Sequence, residues 1–140
     1  MNMRKKVFGN LASVSMMFVI ASVSVLPFAV VAASSPYSFS MAYYVVDGCA
    51  NSQFHTLDAG TGKLSGSTSA PYSTISVQYE LQRDVFGPNP SYGSVNGGIN
   101  TSFSNLAFPT SVISASNYCI IAYRNSSDGI TVNGSGTLHN

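Results

Sequence analysis

The chain has 140 residues, of which 45% are hydrophobic and only 8% charged, with six Lys and Arg against five Asp and Glu. Three of the bases, Arg4, Lys5 and Lys6, precede residue 34. Residues 34–140 therefore keep Lys63, Arg83 and Arg124 against Asp47, Asp58, Glu80, Asp84 and Asp128, a formal charge of −2. A slightly acidic segment with three scattered bases excludes a nucleic-acid footprint and a polybasic route to anionic lipid.

After Arg4, Lys5 and Lys6, the run from Leu11 to Ala33 has no charge and is rich in Val, Ala, Met and Phe. Val31-Ala32-Ala33 then places small residues ahead of Ser34-Ser35-Pro36, the order of a secretory signal peptide with its cleavage site. About 20 apolar residues could also span a bilayer, but Ser13, Ser15, Ser22, Ser24 and Pro27 dilute this run. The reading is a bacterial signal peptide over residues 1–33 and an exported domain over 34–140. No membrane anchor is expected after cleavage: no cysteine follows the cut, and the chain ends in Gly136-Thr137-Leu138-His139-Asn140 without an apolar tail.

Residues 34–140 suit one domain with a single core. Tyr37 to Val46 alternates apolar and polar residues in its first half, is apolar on both faces in its second, and reads as one strand, ended by Asp47-Gly48. Phe54 to Leu57 reads as a short strand, and polar Lys63 to Ser69 as an edge strand. Ile75, Val77, Tyr79 and Leu81 alternate with Ser76, Gln78, Glu80 and Gln82, the pattern of a strand with one dry and one wet face. Gly87-Pro88-Asn89-Pro90 interrupts the ladder. A weaker strand follows at Tyr92 to Val95, then another over Ile99 to Phe108 with Phe103 inward. Tyr118, Ile120 and Ala122 oppose Cys119, Ile121 and Tyr123 on a strand apolar on both faces. Asn125-Ser126-Ser127-Asp128-Gly129 reads as its hairpin turn, and Ile130, Val132 and Leu138 as the return strand, with Gly134 and Gly136 bulging it. About seven to nine short strands and no helical periodicity predict an all-β fold, a small antiparallel sandwich of immunoglobulin-like or jelly-roll-like type. The aromatic strand, Asn-Ser-Ser turn and Val-x-Gly-Ser-Gly-Thr-Leu return are similar to the closing hairpin of small bacterial extracellular sandwich modules. That resemblance implies no activity and no site.

Cys49 and Cys119 are an even pair in a chain read as exported, which predicts a disulfide. Closing the loop from 49 to 119 contributes about 4 kcal/mol by chain-entropy arithmetic.

Catalytic, cofactor and metal motifs are not found. No Gly-x-Ser-x-Gly elbow surrounds any serine, although His55 and Asp58 could be imagined in a triad; His55 is expected at a surface or edge. The single cysteine pair cannot complete a zinc site, and no acidic loop has calcium spacing. Gly60-Thr61-Gly62-Lys63 is only a fragment of a phosphate loop. Three Asn-x-Ser/Thr sequons, at Asn100, Asn125 and Asn133, read as turns. The expectation is thus a secreted, non-catalytic extracellular or cell-envelope module for binding or assembly. Its expected partner is a cell-surface glycan or protein, met by Tyr72 and Tyr92 on loops. An antimicrobial toxin of the bacteriocin type is the alternative, though no cationic amphipathic helix supports it. A scarcity of edge lysines and prolines also predicts self-association through an open strand edge.

Overall fold

A computed structural model describes residues 33–140; the expected signal peptide, all but its last residue, lies outside the described residues. These form nine strands and no helix: β1 (Ser34–Met41), β2 (Val45–Asp47), β3 (His55–Leu57), β4 (Lys63–Ser69), β5 (Val77–Arg83), β6 (Ser91–Gly98), β7 (Thr101–Ala107), β8 (Ala115–Tyr123) and β9 (Val132–His139). They lie in two antiparallel sheets, one ordered β1-β9-β4-β7 and the other β2-β8-β5-β6 with β3 also on β8. The fold is all-β with the layout of a small sandwich.

The inner faces follow the period-two pattern. Val77, Tyr79 and Leu81 of β5 and Tyr118, Ile120 and Ala122 of β8 are buried against Met41, Leu64, Val132 and Leu138 of the other sheet. Ile75 differs from expectation: it precedes β5 and is half-buried. Gln78, Glu80 and Gln82 are half-buried rather than wet, because β5 lies between β6 and β8 and neighbouring side chains lean over it. The Tyr123 hydroxyl, for one, donates to Gln78 Oε1 at 3.0 Å.

Three expectations about connectivity are corrected. The stretch from Tyr37 to Val46 is two strands: β1 joins the first sheet, the chain bends at 42–44, and β2 joins the second. The final pair of strands is not a hairpin, since β8 and β9 belong to opposite sheets and residues 124–131 arch between them. Lys63–Ser69 is not an edge but a central strand, paired with β9 on one side and β7 on the other. Its serines point outward with those of its neighbours, while Leu64, Gly66 and Thr68 face inward.

The glycines of β9 do not bulge it. β9 pairs residue for residue with β1, from Ser34↔His139 to Met41↔Val132, and with β4, from Lys63↔His139 to Ser69↔Asn133. Gly134 instead makes room for an aromatic ring, as does Gly66 of β4, while Gly136 lets the β4 backbone come close. A Cβ on Gly134 would overlap the Phe39 ring, and one on Gly66 would lie 2.6 Å from the Tyr37 hydroxyl oxygen. Over this trough of missing side chains, Tyr79 packs edge-on to Tyr37 and Phe39, each at 5.9 Å between ring centroids, and tilted against Phe103 at 5.5 Å. Offset and edge contacts of this kind are the favoured aromatic geometry.

Cys49 and Cys119 form the expected disulfide, with Cα atoms 5.2 Å apart. It ties the loop after β2 to the outer face of β8.

Candidate functional site

Strand register places four connections at one end of the sandwich: the 42–44 bend, the 70–76 loop, the 99–100 turn and the 124–131 arch. At their centre is Arg124, only 3% exposed. Its Nη1 meets Asp128 Oδ1 at 3.1 Å, and its Nη2 donates to the Tyr43 carbonyl at 2.7 Å and the Ile130 carbonyl at 3.1 Å. The Arg124 backbone N–H donates to the Tyr44 carbonyl at 2.8 Å. A planar guanidinium with several fixed donors suits such a three-way junction.

Asp128 passes the brace to the next loop. Its Oδ2 accepts from the Ser73 hydroxyl at 2.6 Å, and its Oδ1 from the Ile130 N–H at 3.0 Å. These two bonds, Ser73's foremost, together with Arg124, hold the carboxyl below its ordinary pKa. Asn100 closes the set: its Oδ1 accepts from Ala70 N–H at 2.7 Å, and its Nδ2 donates to the Ala70 carbonyl at 2.9 Å.

Three tyrosines stand out from these braced loops. Tyr43 is 75% exposed, Tyr44 54% and Tyr72 96%. Tyr72 also has φ +66°, a left-handed backbone that side-chain-bearing residues rarely adopt. Its neighbours Ala70 and Ser73 are both pinned, so the loop holds Tyr72 outward against that cost. Beside the 99–100 turn lies a shallow hollow of about 370 Å³ lined by Ser67, Thr68, Ser69, Asn100, Thr101 and Ser102. The pole thus combines exposed aromatic faces with a hydroxyl- and amide-lined depression.

The two tyrosines expected at the surface part company. Tyr72 is on the pole, whereas Tyr92 is buried in β6 with its ring 5.3 Å from that of Tyr118. The irregular pairing of β6 around Gly93, where φ is +95°, turns Tyr92 inward. Nothing local in the sequence marks Tyr43, Tyr44 and Arg124 as belonging to one site. Two adjacent tyrosines read as part of a continuous strand, and a lone arginine after β8 gave no sign of its partners. The one local signal is the i, i+4 spacing of Arg124 and Asp128.

His55 lies on β3, at a sheet edge as expected, but it is buried rather than at the surface, with its Nδ1 2.8 Å from the Ser35 hydroxyl oxygen of β1. Burial lowers its pKa. The bond joins the rims of the two sheets beside a cleft of about 460 Å³ between Pro36–Ser38 and Ser52–His55. Asp58 does not complete a triad: its backbone N–H and carbonyl bond the Asn140 side chain, and no acid pairs with His55 among the described residues. Among the described residues, no three His, Cys, Asp or Glu side chains gather to hold a metal ion. The chain matches no protein-family model and no curated protein at a significant level.

Proposed function

We propose that this chain is an exported, non-catalytic module that binds a cell-surface glycan through the tyrosine pole. The observation that carries this reading is the set of three exposed tyrosines on loops braced by the buried Arg124–Asp128–Ser73 chain. A tyrosine ring offers a flat apolar face to the C–H side of a sugar and a hydroxyl to its polar edge. Tyrosine also loses little side-chain entropy, and braced loops lose little more on binding. The neighbouring serines, threonines and Asn100 supply donors and acceptors for sugar hydroxyls. The disulfide is consistent with work outside the cell, where oxidation persists.

Sedimentation of the purified protein with insoluble cell-wall polysaccharide tests the reading. Tyr72→Ala and the double change Tyr43→Ala, Tyr44→Ala should each weaken binding about thirtyfold, as for an aromatic hot spot of about 2 kcal/mol. Stability should stay within about 0.5 kcal/mol because the side chains are exposed. Equal retention of wild type and both variants, or no retention of wild type on any polysaccharide, would overturn it.

A further inference from the structure

The four sheet margins are not equivalent. β7 slips register against β4 and carries Asn105 at φ +54°. β6 slips twice against β5. β2 and β3 have three residues each and share one margin of β8. Bulges and short strands are the usual means of blunting an edge. β1 has neither, and a single proline, Pro36, is its one guard: its eight residues pair with β9 in unbroken register. None of its side chains is charged, and the 460 Å³ cleft opens beside residues 36–38.

We propose that two copies of this chain pair antiparallel through β1, joining their first sheets into one continuous eight-stranded sheet. The sequence of β1 favours a second copy over an unrelated strand because it is complementary to itself in one register. With Ser38 opposite Ser38 of the second copy, Tyr37 lies opposite Phe39 and Pro36 opposite Ser40. Tyr37 and Phe39 both belong to the inner face, and Pro36, Ser38 and Ser40 to the outer one, so the two faces of the joined sheet match. Cross-strand aromatic pairs stabilise such a ladder, and an uncharged strand meets no repulsion from its own image. The contact is isologous, so it closes at two copies rather than propagating. Pro36 removes one donor per copy and leaves the remaining ladder available. This pairing does not depend on the tyrosine pole, which lies at the end of the strands rather than along their margin.

Ser38 is exposed and sits on the proposed axis, which makes a charge-swap experiment decisive. Light scattering on the purified, natively processed protein, over a hundredfold dilution from high concentration, should show mass falling from two chains to one. Ser38→Lys and Ser38→Glu should each stay monomeric at every concentration, because like charges then face each other across the axis. Mixing the two variants in equal amounts should restore the two-chain mass. Ser104→Lys, on the bulged β7 edge, should dimerise like wild type. Thermal unfolding of each variant checks that the fold is intact, and a twin series with Pro36→Lys/Ser40→Lys and Pro36→Glu/Ser40→Glu, at positions that face each other across the axis, covers the case in which a Ser38 variant does not fold. In that series each double variant alone should stay monomeric and their equal mixture should regain the two-chain mass; pairing of either alone, or a mixture that stays monomeric, overturns the proposal. A constant monomer mass for wild type, undiminished pairing in Ser38→Lys, or a mixture that stays monomeric would each overturn the proposal.

Discussion

Replacing Arg124 with alanine removes the junction from which the pole is built. Two charge-assisted hydrogen bonds disappear, to the Tyr43 and Ile130 carbonyls, together with the pair to Asp128. Hydrogen bonds from a charged group generally contribute about 1.5–3 kcal/mol each, so the two carbonyl bonds together carry about 3–6 kcal/mol. Here the loss falls at the low end. The Asp128 side chain is 24% exposed, so water can solvate the released carboxylate. The Tyr43 carbonyl belongs to an exposed residue and can also turn to water. The expected destabilisation is about 3 kcal/mol from the two lost carbonyl bonds, which lowers the melting temperature by roughly 12–24 °C in a domain of this size. Urea unfolding gives the free energy, and amide exchange at residues 42–44 and 70–76 shows whether both loops loosen together. The Arg124 backbone bond to Tyr44 survives the change, so β2 should stay paired with β8. A loss below about 1 kcal/mol, with both loops still protected, would refute the junction as what holds the pole.

Two further outcomes follow from the packing and the buried titratable groups. Gly134→Ala should destabilise by about 1–3 kcal/mol through overpacking against Phe39, and Phe39→Leu should recover part of that in a double-mutant cycle. Gly136→Ala should not be rescued by Phe39→Leu, because its Cβ would overlap the Ser65 carbonyl and the Gly66 backbone. Stability should also fall at both ends of the pH range, read as melting temperature against pH. His55 has its pKa lowered by burial, so the unfolded chain binds the extra proton first. Stability is then lost as pH falls below about 6.5 toward the lowered folded value, and His55→Gln should flatten that slope. Burial pushes Tyr37 and Tyr118 up to about 12 and Tyr79 higher still. Unfolded tyrosines ionise near pH ~10, so stability should drop above that pH, with those three phenols titrating late by ultraviolet absorbance.

Much of this architecture was legible from local pattern. Alternation at Val77–Leu81 identified the inner face of β5, because a strand's side chains alternate whatever sheet it joins, while Tyr118–Tyr123, apolar on both faces, marked β8 as buried without choosing its inner face. The even cysteine pair identified the disulfide, since a chain read as exported has few other uses for two distant cysteines. Pattern could not say which sheet a strand enters. β8 and β9 look like a hairpin in sequence, yet Arg124 and Asp128 fold the link into an arch between sheets. β4 looks like an edge because its serines are polar, but its pairing on both sides is decided by β7 and β9, far along the chain. The pole depends on the same long-range information. Tyr43 and Tyr44 are exposed because an arginine some eighty residues later captures their carbonyls, and Tyr92 is buried because Tyr118 lies beneath it. Face and period are properties of neighbouring residues, whereas sheet membership, edge position and exposure at the pole arise from pairings that only the folded chain brings together.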